Sequence, residues 1–311
     1  MKKMKAIVYL LMIACIGVSA AYIMYKQRSP VSQDAGNIDD KSKSNSNKVG
    51  LGWELGLYGK DNKIIDNGSR LAVEEGEVSS RLSFSHYMND EREYKLIALH
   101  DFRQSPFEVE GQTYQSYDFL AKADDTVDID FIDTLQDNTK EVSYLIIKQP
   151  HVLLEKFESE AVSLGNLLSL RYPIEDRNTP TENSLLPFLI STKEPIASVF
   201  LSEQAEELTA LMTAKSGQEV YLTIGNPGNE SVQYALIAFL DWQQVPVINN
   251  EVVNYVTVEP GEKKIYKLTL PRVSTKTNYQ VVALPDPYKV SNSNYSSQSV
   301  EASLRTVIQP F

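Results

Sequence analysis

The sequence predicts a mainly β protein: two tandem antiparallel β-sandwiches behind an N-terminal transmembrane helix. Three observations carry that expectation. Past Gly50 the chain consists of short stretches of alternating apolar residues broken by turn residues. The stretch YKLIALHDFRQSP (94–106) returns 140 positions later as YALIAFLDWQQVP (234–246), with seven of the thirteen residues identical in place. Finally, Ala6 to Tyr25 is a run of twenty residues without a charge, about the length of helix that crosses the hydrocarbon of a bilayer.

The N-terminal run sets the location. Lys2, Lys3 and Lys5 precede it and only Lys26 and Arg28 follow, a bias that favours N-terminus inside and body outside. A cleaved signal peptide is the alternative, because Val18 to Ala20 offers small residues at cleavage spacing, although the apolar run continues to Tyr25. Lipidation at Cys15 is a third reading. All three place the body outside the cytoplasm: residues 1–26 as anchor or signal segment, and 27–50, polar and rich in Ser, Asn, Asp and Lys, as a flexible tether.

Charge and cysteine use narrow the function. The first 28 residues hold five of the 30 basic residues and no acid, so 25 bases face 41 acids in the remainder, a net charge of −16. That excludes nucleic acid as the expected partner, since phosphate neutralisation requires Lys and Arg. Cys15 is the only cysteine, so the body holds no disulfide, zinc ribbon or thiol nucleophile.

Six strands are expected in 51–175 (within WELGLYG, RLSFSHY, YKLIALHDF, TVDIDFI, VSYLIIKQP and LSLRYPI) and five in 184–311 (within VYLTIGN, YALIAFLDW, KIYKLTL, YQVVALP and ASLRTVI). Residues 176–183, with Pro180, form the linker. The repeat extends outward. Leu82 and Phe84 match Leu222 and Ile224 at an offset of 140, and Val127, Ile129 and Phe131 match Tyr266, Leu268 and Leu270 at 139. Tyr144 and Pro150 match Tyr279 and Pro285 at 135, and the two SLR triplets (169–171, 303–305) match at 134. Within the motif, Tyr94, Leu96 and Ala98 share one strand face and Ile97 takes the other, which fits a central strand buried on both sides. Two segments, 152–168 and 202–214 (Ser202 as cap), carry helical patterns.

The second unit resembles bacterial extracellular Ig-like modules of the CARDB kind over about residues 218–290, through the turn Asn226–Asn229, Asp241 at a strand end, and the Pro260–Glu262 turn. The first unit departs from it, with HYMNDE in place of the Gly turn. The resemblance implies an adhesion or scaffold module of Ig-like fold and transfers no catalytic residues.

Chemistry-bearing clusters read mostly as architecture. ADDTVDIDFID (123–133) lacks the Gly and Glu of a calcium loop; Val127, Ile129 and Phe131 are expected inward and Asp128 and Asp130 outward, with Asp124 and Asp125 as the remaining calcium candidates. His86 aligns with Asn226 and His100 with Leu240, so the fold requires imidazole at neither position. No metal site, cofactor or catalytic residue is expected. The polar segment 287–299 supplies the binding candidates Tyr288, Asn292, Asn294 and Tyr295, because Tyr with Ser and Asn suits protein or sugar contact. The expected function is a membrane-tethered extracytoplasmic binding or scaffold protein. Its partner would be an envelope or surface protein, or a polysaccharide. The alternatives are an envelope hydrolase or its regulatory subunit, with His100, His86 or the aspartates in catalysis, and an assembly chaperone that captures partner strands.

Overall fold

The structure, a computed structural model, describes residues 52–174, 188–192, 199–205, 207 and 209–310; the expected anchor, tether and linker lie outside them. Strand makes up 54% of these residues and helix 5%, so the fold is mainly β. No helix among the described residues is long and apolar enough to cross a membrane. Gly50–Phe311 form one compact unit.

Its first sandwich contains β1 (Gly52–Tyr58), β2 (Ile64–Ile65), β3 (Glu77–Tyr87), β4 (Arg92–His100), β5 (Arg103–Ser105) and β6 (Phe107–Val109). There follow β7 (Gln112–Tyr114), β8 (Tyr117–Ala121), β9 (Asp125–Thr134), β10 (Glu141–Lys148), helix α1 (Ser159–Gly165) and β11 (Leu168–Pro173). One sheet runs β2-β1-β3-β9-β6-β7 and the other β11-β10-β4-β5, with β8 also on β4. The second sandwich contains β12 (Ile190–Thr192), β13 (Val199–Ser202), β14 (Thr213–Lys215), β15 (Glu219–Gly225), β16 (Val232–Leu240) and β17 (Gln243–Val245). It continues with β18 (Asn254–Val258), β19 (Lys263–Thr269), β20 (Thr277–Pro285), a 3₁₀ turn at Asn292–Ser297, β21 (Glu301–Ala302) and β22 (Thr306–Gln309). Its sheets run β12-β19-β15-β13 and β14-β22-β20-β16-β17, with β18 on β16 and β21 on β20.

Three apolar clusters result. Leu82, Phe84, Leu96, Ala98, Ile129 and Phe131 belong to the first, between the sheets of the first sandwich. Leu222, Ile224, Leu236, Ala238 and Leu268 belong to the second. The third lies between the sandwiches: Ile97, Leu99, Leu145 and Ile147 meet Ala235, Ile237, Phe239, Val282 and Leu284. Each repeated strand therefore faces its own core with one set of alternate residues and the other sandwich with the next set.

Sheet register corrects the repeat as read from sequence. His100 pairs with Val142 and Leu240 with Tyr279, so Val142 and Tyr279 are equivalent, at an offset of 137. Tyr144 therefore corresponds to Val281, and Pro150 to Pro287 rather than Pro285. Leu82 pairs with Ile129 and Leu222 with Tyr266, which likewise gives 137 in place of 139. Both errors are two residues, which leaves every side chain on the same face. The 134 offset of the two SLR triplets holds at their arginines, since Val142 pairs with Tyr172 and Tyr279 with Thr306.

The helical patterns fare differently. In 152–168 only α1 is helical, and Gln280 Nε2 donates to its Gly165 carbonyl, so the segment lies against the second sandwich. No helix occurs in the described residues of 202–214. Backbone groups there are taken by neighbours: Leu211 N–H bonds Leu201 O, and Val307 N–H bonds Met212 O. Tertiary pairing overrides local propensity.

Candidate functional site

The repeated motif closes in the same tight turn in both sandwiches. Asp101 and Phe102 have φ of 48° and 66°, and Asp241 and Trp242 have 47° and 65°. Two consecutive left-handed residues define the primed hairpin turn, a place that favours Asn-Gly. A large aromatic there is strained, and the two rings show what the strain achieves. Phe102 packs against Tyr288 and Tyr255 of the second sandwich, with ring centroids 5.1 and 6.1 Å away. Trp242 donates Nε1–H to Pro150 O of the first sandwich at 2.7 Å, and Arg305 lies over its ring at 4.7 Å.

Around these rings the bonds are reciprocal. Gln104 N–H donates to Gln244 Oε1 and Gln244 N–H to Gln104 Oε1, each at 2.7 Å. Gln104 Nε2 donates to Trp242 O, and Gln244 Nε2 to Phe102 O. Arg171 Nη1 donates to Pro285 O, while Arg305 Nη2 donates to Lys148 O; Lys148 and Pro285 are equivalent at the 137 offset. The two sandwiches thus meet about a pseudo-twofold axis. Gln244→Ala removes the bonds made by its side-chain amide, to Phe102 O and from the Gln104 N–H, and leaves the Gln104 N–H without its acceptor. It is expected to cost about 1–2 kcal/mol in urea unfolding.

Buried ionisable groups are engaged internally. Asp133, fully buried, accepts from His100 Nε2 at 2.7 Å and from the Tyr144 hydroxyl at 2.9 Å. Burial, then the Asp133 charge, holds the Tyr144 hydroxyl well above its ordinary range. His100 therefore pairs with Asp133 across the core and not with neighbouring Asp101. Trp53 Nε1 donates to the Tyr94 hydroxyl, which donates to His86 Nδ1, leaving His86 Nε2–H for Asp90 O. Burial pushes the Tyr94 hydroxyl up to about 12. Asn226 does the corresponding work in the second sandwich, donating to Glu230 O. His86 and Asn226 thus serve one architectural purpose. Glu141 and Arg171, both fully enclosed, form an ion pair at 2.8 Å.

Along ADDTVDIDFID, Ile129 and Phe131 are buried and Asp128 and Asp130 exposed. Among the described residues no group of three His, Cys, Asp or Glu could hold a metal ion.

Of the binding candidates, Tyr288 and Tyr295 are half-buried and Asn292 and Asn294 exposed. The Tyr288 hydroxyl lies 2.8 Å from that of Tyr255, and its N–H donates to Glu141 Oε2. The Tyr295 hydroxyl donates to Ser169 O. Both tyrosines thus seat the 287–299 segment on its surroundings, and the exposed turn presents the two asparagines. Sequence reasoning did not single out Arg171, Arg305, Gln104 or Gln244, although each is a repeated letter of the motif or of SLR.

No protein-family model matches the chain, and no curated protein matches it. Among solved structures it is similar to the E. coli chaperone DraB, at 10% identity over 84% of this chain and 97% of that one, with a TM-score of 0.26. It is also similar to Salmonella enterica SafA pilin in complex with the SafB chaperone, at 13% identity over 82% and 95%, TM-score 0.24. For red sea bream transglutaminase the values are 9% identity over 83% of this chain and TM-score 0.21. The chain spans 31% of that enzyme's length.

Proposed function

We propose that the protein is a membrane-tethered, extracytoplasmic binding or scaffold protein. Its body of two Ig-like sandwiches would be held outside the cytoplasm by the N-terminal apolar run and offered to an envelope or surface partner. The observation that carries this reading is where the reactive side chains go. His86, His100, Asp133, Glu141 and Arg171 are buried and bonded to one another or to main chain. That leaves the residues that differ between the two halves to meet other molecules. The exposed Asn292 and Asn294 turn is one such place.

The test is topology together with partner capture. In intact cells, protease added outside should digest the body of the full chain, and the chain should sediment with membranes. Cross-linking on those cells should join it reproducibly to one envelope component, and that joining should fail on competition with purified body. A chain recovered from the soluble cytoplasm, or protected from external protease, overturns the reading.

A further inference from the structure

We propose that the hollow where the 288–291 segment crosses the first sandwich is an anion-binding pocket for a phosphate or carboxylate group on a ligand of about sugar size. The cavity is about 260 Å³, and its lining includes Gly68, Arg70, Lys140, Tyr288, Lys289 and Ser291. Three cations line it and no carboxylate does.

Charge makes this lining unusual. The chain after residue 28 carries a net −16, yet among the described residues Arg70, Lys140 and Lys289 make no ion pair. Three like charges around one hollow repel each other, and a bound anion removes that cost. Arg70 and Lys289 are exposed at the mouth, whereas Lys140 is half-buried and lies over the Tyr288 ring at 5.5 Å.

The wall is fixed rather than fortuitous. Gly68 has φ of 75° and gives its N–H to Arg171 O. A Cβ there would lie 2.3 Å from the Ser291 carbonyl carbon, so only glycine lets the two backbones meet and form this wall. Comparison of the halves shows that the fold does not require the charges. At the 137 offset Lys140, Tyr288 and Lys289 stand where the other half has Thr277, His151 and Val152. Lys140 and Lys289 thus have no cationic counterpart in the other half, and the shared sheet does not call for them.

This deepens the binding reading and rests on it, but the two fail separately: partner capture by the exposed turn does not need the pocket. The test is calorimetry on the full chain in detergent, with inorganic phosphate, glucuronate and neutral glucose as probes. The expected result is saturable one-to-one binding of phosphate or glucuronate and none of glucose. Whichever anion saturates at lower concentration identifies the group. Lys140→Met and Lys289→Gln should each weaken it at least tenfold. Lys276→Met, remote from the lining, should leave it unchanged, and Lys289, exposed, serves as the variant least able to disturb folding. Absence of saturable binding for both anions overturns the proposal, as does equal affinity in both pocket variants.

Discussion

Arg171→Met is expected to destabilise the protein by about 3–5 kcal/mol, the range for leaving one member of a buried ion pair uncompensated. The Arg171 side chain is fully buried, holds Glu141 and donates to Pro285 O and Gln298 O of the second sandwich. Its loss removes both the counter-charge of Glu141 and a tie between the sandwiches. Burial already raises the Glu141 carboxyl above its ordinary range, with the Arg171 charge as the main opposing influence. In the variant that opposition is gone and the carboxyl rises further. A carboxyl whose folded value lies above its unfolded value favours folding as pH falls through the folded value. Arg171→Met should therefore regain stability on mild acidification, and adding Glu141→Gln should recover part of the loss at neutral pH. Urea unfolding at pH 5 and pH 7 measures both. A loss below about 1 kcal/mol, typical of solvated pairs, would mean that the pair is not sealed.

Lys148→Met is expected to act in the opposite direction. The Lys148 side chain is buried over the Trp53 ring at 4.4 Å. Burial first, then Arg305 and Arg92, lowers its ammonium from 10.5 to about 7. Between those values the unfolded chain carries a proton that the folded chain lacks. Stability thus rises with pH from about 7 towards 10.5, and below 7 the full penalty of a buried cation remains. That penalty is on the order of 5 kcal/mol, reduced by the attraction of the ring. The methionine variant should be more stable at neutral pH and should lose most of this rise. Denaturant midpoints at intervals from pH 6 to pH 10 read it directly, and a natural chain with no rise across that range would contradict the assignment.

How much of this was legible in the sequence follows from the period of a strand. Alternation and turn residues placed the strands, and the two-sided burial of the repeated motif could be read from Ile97 against Leu96 and Ala98. Register could not. A slip of two residues keeps Val127, Ile129 and Phe131 facing inward whether the offset is 139 or 137, so the hydrophobic pattern is blind to it. Only the ladder pairings separate them. The site residues were harder still. Arg171 and Arg305 were visible as repeated letters, but an arginine in a strand suggests a solvated face until the opposing carbonyls of Pro285 and Lys148 are in place. The pocket cations lie far apart in sequence, at 70, 140 and 289, and no spacing rule joins them. The helical pattern of 202–214 misled because the neighbouring strands claim its backbone groups.

The central claim is that the repeated strand faces meet, sandwich against sandwich, and Trp242 tests it most directly. The chain has two tryptophans, and Trp242, 1% exposed, owes its indole hydrogen bond to Pro150 of the other sandwich. In the Trp53→Phe variant, emission should be blue-shifted and should resist acrylamide quenching until the protein unfolds. Water-exposed, freely quenched emission from the folded variant would show that the two sandwiches do not meet.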